Sequence, residues 1–385
     1  MKKMLSRCDK PLLLMMLVYS IFGLIMIFSA SSVSTVLRYH VSPYHFFIRQ
    51  AFFLIISFIV GFLIILNVPT KKYKYFSHIL IIGIIVALIG LFAYGQLTNH
   101  ALSWYSFGPI NLQPSEFAKT IIIIFMAVFY ERLARKKGLS LPVYFIPLAV
   151  VGIIAVLVMM QPDLGSALII LGIAFGIFIS IPMIKKNVVN VAKYLIIGVV
   201  ILAIALIYSG NEILNSRQLQ RFQFQKPCSR YREDTGYQVC NGFIAIHNGG
   251  LLGVGLGNST QKYLYLPESH TDFIFPIIVE ELGLIVGILI ILGYVFMLFR
   301  ILKIAKEASN LQGSILAYGA FLYILAHILV NLLGVLALIP LTGVPLPLLS
   351  YGGSFTINIV AILFVVQRVA IENNINQVKK SIASI

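Results

Sequence analysis

Apolar residues in this chain come in repeated runs of about twenty, separated by short basic loops. A run of that length crosses a bilayer as an α-helix. Ten such helices are predicted near 11–31, 46–66, 76–95, 114–132, 142–160, 164–183, 188–209, 272–299, 314–337 and 354–371. An even number puts both termini on one side. The pattern predicts an all-α polytopic integral membrane protein with a single domain over 1–385. One long loop, 210–271, is expected between the seventh and eighth helices, and a tail at 372–385. The first run follows Lys2, Lys3, Arg7 and Lys10 with no small-residue cleavage site behind it, which predicts a retained helix rather than a signal peptide.

Composition agrees with a bilayer environment: 59% of the 385 residues are apolar and 11% charged, too little polar surface to cover a soluble core of this size. Sorting the basic residues by the helix pattern puts twenty of the 29 Lys and Arg on the side of the termini, in clusters such as "KKYK", "RLARKK" and "RILKIAK". The positive-inside rule makes that side cytoplasmic. Anchoring to anionic lipid accounts for most of the net charge of +16 and leaves nucleic acid without a role. Against the rule, Arg217, Arg221, Lys226, Arg230, Arg232 and Lys262 fall in the long outer loop, and a loop of that length is usually functional. Cys228 and Cys240 share that loop, in "PCSRYREDTGYQVC". On the oxidising side they would form a disulfide worth about 3 kcal/mol in the chain-entropy model, two free thiols being the alternative.

A helix-start pattern recurs on the outer side, as "SPYHF", "LQPSEF", "MQPDLG" and "SHTDF". Proline near the first helical position, or an acid or hydroxyl in the first turn, satisfies unpaired N–H groups. That is the purely structural account of Glu116, Asp163 and Asp272. Three features weigh against it. Glu116 and Lys119 share a helix face and form an expected ion pair inside the hydrocarbon. Glu280 and Glu281 follow Asp272 on the eighth helix, about 12 to 14 Å deeper at 1.5 Å per residue. "YLPESHTDFIF" sets Glu268, His270 and Asp272 within five residues. Together these predict a charged cavity opening outward beneath the basic loop.

Other patterns carry less. The glycine-rich "HNGGLLGVGLGNSTQ" lacks the strand, helix and acidic residue of a dinucleotide site, and is read as close backbone packing or a re-entrant turn, with phosphate binding by its amides as the alternative. "PLTGVPLPLLSYGGS" is Pro/Gly-interrupted at membrane depth, which is tolerated where backbone lines a cavity. His327, in an apolar run, fits a hydrogen bond to a neighbouring helix better than a metal ligand. Trp104, the single tryptophan, is either an interfacial anchor or a surface for stacking a sugar. No serine-nucleophile elbow is present.

"QPSEFAK" after a loop tryptophan, "QPDLGSA", "GLGNSTQKYLYLPESHTDFIF", "EELG" and "PLPLLSYGGS", in this order over about residues 10 to 372, resemble the SEDS family of shape, elongation, division and sporulation proteins. "GLGNS", "YLPE" and "IVEELG" are more similar to the division-type FtsW branch, or its sporulation relative, than to the elongation-type RodA branch. Two departures stand out: "LSW" lacks the basic residue many members carry before the tryptophan, and "IVEELG" lacks the glycine that commonly precedes the paired glutamates.

The resemblance implies a ten-helix inverting glycosyltransferase of the bacterial cytoplasmic membrane, acting at the division septum. It would polymerise lipid II at the outer face beside a class B penicillin-binding protein and other divisome proteins. It implies Asp272 as general base, taking the proton of the acceptor's hydroxyl, since an alcohol is a poor nucleophile. Lys119, Arg217 and Arg221, with a divalent ion such as Mg or Mn, would steady the departing diphosphate. Glu116 would position Lys119, Asp163 would shape the cavity, and Glu268 and His270 would assist Asp272 or hold its loop. Trp104, Ser350 and Ser354 would meet substrate. A lipid II flippase and a noncatalytic divisome scaffold are the rivals. A flippase calls for charges through to the inner leaflet, whereas the acids here favour the outer half.

Overall fold

The computed structural model describes residues 4, 6–98, 101–108, 110–136, 141–182, 189–190, 193, 224–232 and 234–383. The first helix, α1 (Lys10–Leu37), starts where Asp9 accepts from the Leu12 amide at 2.9 Å and Pro11 occupies the first turn, so its opening N–H groups are provided for. There follow α2 (His45–Leu63), α3 (Tyr73–Tyr94), a three-stranded antiparallel sheet of β1 (Gln96–Thr98), β2 (Ala101–Phe107) and β3 (Ile110–Leu112), then α4 (Pro114–Ala134), α5 (Ile146–Met159) and α6 (Leu164–Ser180). Beyond them come α7 (Asp234–Gly249), α8 (Ile274–Lys306), α9 (Leu311–Val335) and α10 (Gly353–Ala383).

Among the described residues, seven stretches are long and apolar enough to cross a membrane: Lys10–Leu37, His45–Asn67, Thr70–Tyr94, Leu141–Met159, Ile274–Lys306, Leu311–Val335 and Gly353–Val378. Helix α6 is apolar but shorter, and α4 carries Glu116, Lys119, Glu131 and Arg132. The span expected at 188–209 lies outside the described residues except at 189, 190 and 193.

Helix ends sort onto two faces. On one, Arg300 pairs with Asp9, Glu372 accepts from the amide and hydroxyl of Thr70, Glu131 accepts from the Gln312 amide at 3.0 Å, and Asn374 donates to the Arg7 carbonyl at 2.6 Å. The N-terminal segment, the α2–α3 turn, the end of α4, the α8–α9 turn and the far part of α10 therefore meet, beside "KKYK" and "RILKIAK". Within the expected tail at 372–385, α10 continues to Ala383, and Glu372, Asn373 and Asn374 are tied to neighbouring elements.

The opposite face holds the sheet, the α5–α6 turn, residues 224–273 and the segment between α9 and α10. Two expectations change there. The all-α pattern is interrupted by the sheet, whose β2 contains Trp104. The expected loop at 210–271 contains a helix, α7, and a disulfide joins Cys228, ahead of it, to Cys240 within it.

Helix α8 is broken at Gly283, whose φ of 87° is open to glycine at little cost. A break frees backbone groups on both sides, and inside a membrane protein these must find partners. The glycine-rich stretch supplies them. The Val254 and Gly255 amides donate to the Glu280 and Glu281 carbonyls at 2.9 Å each, and the Leu284 and Ile285 amides donate to the Gly250 and Leu251 carbonyls at 2.9 and 3.3 Å. Close backbone packing is thus the role of this stretch, and the Val254 and Gly255 amides are spent on it rather than on phosphate. Its side chains Leu251, Leu252 and Leu256 point outward and are exposed.

Candidate active site

The lead into α8 is a tight turn. The Glu268 carbonyl accepts from the Thr271 and Phe273 amides at 3.3 and 3.1 Å, and the Glu268 carboxylate accepts from the Thr271 hydroxyl at 2.8 Å. This delivers Asp272 one residue before the Phe273 cap, which makes no side-chain capping bond. Asp272 thus sits just ahead of the cap position, and its side chain is half-buried. Asp163 behaves differently: it caps α6, accepting from the Ser166 amide at 3.0 Å, and also accepts from Gln113 at 3.1 Å and Ser115 at 3.3 Å. The capping account holds for Asp163, which ties the starts of α4 and α6 together.

A second wall faces Asp272, made by the Pro/Gly-interrupted segment after α9. Prolines at 345 and 347 bring no N–H, so the carbonyls here look to side chains. Asn331 donates to the Val344 carbonyl at 2.7 Å, His327 to the Pro345 carbonyl at 3.3 Å, and Tyr294 to the Pro347 carbonyl at 2.6 Å. Asn331 also donates to the Asp272 carbonyl at 2.8 Å, bridging the two walls. Further along, the Ser350 hydroxyl donates to the Thr271 carbonyl at 2.7 Å and accepts from the Leu346 amide, and the Tyr351 amide donates to the His270 carbonyl. Gly343, exposed and at φ 70°, lies beside the Asp272 carboxylate.

Several residues expected to contact substrate are buried. Ser350 and Ser354 are fully enclosed, and their hydroxyls are engaged within the protein, Ser354 with the Gln113 amide and the Asn111 carbonyl. Both hold loops through these bonds. Lys119 is 1% exposed, paired with Glu116 at 2.6 Å and donating to His327 at 3.1 Å, while Tyr323 donates to Glu116. Because an ammonium only donates, His327 Nε2 accepts and Nδ1–H goes to Pro345. Glu116 does position Lys119, as expected, but this cation sits behind the second wall and steadies it. His327 is the interhelical hydrogen bonder that its apolar surroundings suggested.

Among the described residues Glu280 and Glu281 do not line an open cavity, since both are 0% exposed. Glu280 accepts from Ser259, from Thr260 at 2.9 Å and from Asn248 at 3.3 Å. Glu281 accepts from Ser29 at 2.7 Å and pairs with Lys262 at 2.9 Å. Lys262, counted among the basic groups of an exposed loop, is in fact buried.

His270 is buried, stacked on Phe46 with ring centroids 4.4 Å apart. Burial, helped by the Arg38 charge, lowers its pKa from 6.5 to about 4. It is neutral at physiological pH and holds the loop by packing; it is not a charged partner for Asp272. Glu268 is half-buried and spends its carboxylate on the turn. Trp104 is half-buried on β2, between Ser103, which donates to the Gln161 carbonyl, and Tyr105, which donates to the Ala87 carbonyl. Arg217 and Arg221 lie outside the described residues.

Sequence reasoning missed Asn331, Gly343 and two arginines. Arg38 donates to the Pro267 carbonyl at 3.3 Å, and Arg49 lies near the start of α2 and bonds Tyr351. Both bring positive charge to the Asp272 face, and their signal was their position on either side of the short outer turn before α2. Among the described residues no three His, Cys, Asp or Glu side chains gather as a metal-binding group.

With this geometry in view, the comparisons are consistent. The family model FtsW/RodA/SpoVE, described as "Cell cycle protein", matches residues 10–375, and the chain belongs to that family. It is 37% identical over 363 residues to the "Probable peptidoglycan glycosyltransferase FtsW" of Bacillus subtilis (strain 168), covering 92% of this chain and 88% of the relative. It is 34% identical over 351 residues to "Stage V sporulation protein E" of the same organism, covering 90% and 92%. In fold it is similar to a chain from a solved peptidoglycan synthase complex, with TM-score 0.73, 22% identity and 95% and 98% coverage. It is also similar to the Rod shape determining protein RodA of Thermus thermophilus, with TM-score 0.65, 23% identity and 94% and 96% coverage.

Proposed function

We propose that this chain is a peptidoglycan glycosyltransferase of the cytoplasmic membrane that polymerises lipid II with Asp272 as general base. The observation that carries the reading is the setting of Asp272: a half-buried carboxylate just ahead of α8, on the face opposite the basic clusters, between two walls bridged by Asn331. By the positive-inside rule that face is the outer one, where lipid-linked sugars are polymerised. The relatives named as FtsW support both the activity and a role in septum synthesis.

In this mechanism the acceptor sugar's alcohol loses its proton to Asp272 as its oxygen attacks the donor's anomeric carbon from the face opposite the diphosphate, inverting that centre. Arg38 and Arg49 bring positive charge to the departing diphosphate, joined by Arg217 and Arg221 of the basic loop. Lys119 acts at one remove, holding the wall through His327. A class B penicillin-binding protein and other divisome proteins are the proposed partners.

The test is polymerisation of labelled lipid II by the purified protein. Asp272→Asn is expected to leave folding intact and abolish glycan chains; normal polymerisation by this variant, with lipid translocation lost instead, would mean a flippase.

A further inference from the structure

We infer that the cleft between the ends of α1, α8 and α10, on the face of the basic clusters, binds the phosphate headgroup of an anionic phospholipid of the cytoplasmic leaflet. The inference is independent of the chemistry at Asp272, which lies beyond the other end of α8.

The cleft measures about 430 Å³, a size ordinary for a small-molecule site. Three cations border it, Lys10 from α1 and Arg300 and Lys303 from α8, against two acids, Asp9 and Glu307. Asp9 is already spent: it accepts from the Leu12 amide at 2.9 Å and from Arg300 through Nε at 3.3 Å and Nη2. Glu307 reaches Lys303 only at 3.9 Å, with the lysine 49% and the glutamate 44% exposed, a pair worth little in water. Lys10 is exposed and pairs with no carboxylate among the described residues. Arg300 keeps a donor as well. A guanidinium carries five N–H groups in a fixed fork, and with Nε and Nη2 held by Asp9, Nη1 has no partner among the described residues.

Exposed apolar rows run into the membrane from both lysines. On α1, Lys10 stands in line with Leu14, Leu17 and Ile21; on α8, Lys303 stands in line with Phe299, Phe296 and Leu292, all of them exposed. Steps of three and four residues keep each row on one helix face. The two helices pack side by side, with Tyr19 donating to the Ile290 carbonyl and Arg300 paired with Asp9, so the rows converge on the cleft. A phosphodiester seated there has its acyl chains beside these rows and its charge at the level of the headgroups. A soluble anion gains nothing from the rows. Lysines at helix ends reach toward headgroups unaided; what sets this pair apart is the cleft between them and the fixed guanidinium on its wall.

Recognition here makes no covalent bond. Phosphate oxygens accept from Arg300 Nη1 and from the ammonium groups of Lys10 and Lys303, charge-assisted bonds that are stronger than neutral ones. A zwitterionic lipid carries its own cation beside the phosphate, which the two lysines oppose. Helix α10 borders the same cleft through Asn374, which donates to the Arg7 carbonyl at 2.6 Å. A bound headgroup therefore touches the first, eighth and last helices together and clamps their cytoplasmic ends.

The experiment titrates the full-length protein in neutral detergent with dioleoylphosphatidylglycerol, dioleoylphosphatidylethanolamine or glycerol 3-phosphate. Native mass spectrometry reads bound ligand, and the thermal unfolding midpoint reads the clamp. Phosphatidylglycerol is expected to bind saturably and raise the midpoint; the other two are expected to do neither at the same concentration. Lys10→Gln with Lys303→Gln is expected to weaken phosphatidylglycerol binding about thirtyfold. Lys71→Gln with Lys72→Gln, an exposed pair on the same face outside the cleft, is expected to leave it unchanged. Equal loss in both double variants means attraction by the basic face as a whole and overturns the site. Equal binding of phosphatidylethanolamine overturns the preference for an anionic lipid, and equal binding of glycerol 3-phosphate overturns the lipid itself. Should the cleft double variant fail to fold, Lys303→Gln alone decides: a loss of about fivefold is expected, and unchanged affinity sinks the proposal.

Discussion

Asp272 and the pair Glu280 and Glu281 are carboxylates eight and nine residues apart on one stretch of chain, and the protein treats them in opposite ways. The glutamates are wholly buried and surrounded by donors: three side chains for Glu280, and a serine with an ammonium for Glu281. Such a carboxylate stitches a loop to a broken helix and has no open approach for a ligand. Asp272 is only half-buried, and the backbone beside it is a bare glycine. Acidity alone does not mark a reactive group in a membrane protein; an open approach next to it does.

The most direct way to break this comparison is to neutralise each side in turn. Asp272→Asn is expected to cost about 10² to 10⁴ in polymerisation rate with the thermal unfolding midpoint in detergent unmoved. Glu281→Gln is expected to do the reverse, keeping the catalytic constant of whatever protein remains folded while lowering that midpoint. A swap of these two phenotypes would refute the assignment.

A second variant probes the sealed side from its cation. Lys262→Met leaves Glu281 buried without its ammonium, for which about 3 to 5 kcal/mol of destabilisation is expected. Lys262→Met combined with Glu281→Gln should recover part of that loss, because the stranded charge is gone; chemical unfolding of all three variants measures the coupling.

His270 gives a pH readout between the two regions. Its folded-state pKa of about 4 lies below the 6.5 of a free imidazole, so between those values the unfolded chain binds more protons. Stability is full above pH 6.5 and falls as the pH drops through the window toward 4, by up to about 3 kcal/mol. His270→Phe should keep the stack on Phe46 and flatten that dependence in a series of unfolding curves. The smallest effect is expected for Ser259→Ala, which removes one of several donors to Glu280 and should cost about 1.5 kcal/mol without touching the rate.

Much of this was legible beforehand. Apolar run length located the described spans, because the bilayer sets that length, while helices such as α1, α8 and α10 run six to twelve residues beyond their expected ends; the described basic clusters did gather on one face. The ion pair of Glu116 with Lys119 followed from helix geometry. What the pattern could not give was which charges are enclosed. Lys262 and Glu281 are nineteen residues apart and meet only because α8 breaks at Gly283 and takes the glycine-rich stretch as its partner. Nor does hydropathy reveal the sheet around Trp104, which is too short to compete with the helical runs. Asn331 sat unnoticed in an apolar helix, since its importance lies in two carbonyls supplied by distant segments.

Helix α10 is enclosed more completely than any other described span, yet it is the last of them to be synthesised. Until it leaves the ribosome, the helices that will pack around it enclose no finished core, and the Asp9 amide and Leu66 carbonyl lack their Gln367 and Arg368 partners. A chain stopped before Gly353 would thus leave an incomplete ring of helices in the bilayer, which quality-control proteases can recognise. Closure of the bundle therefore waits on α10, the last of the described spans.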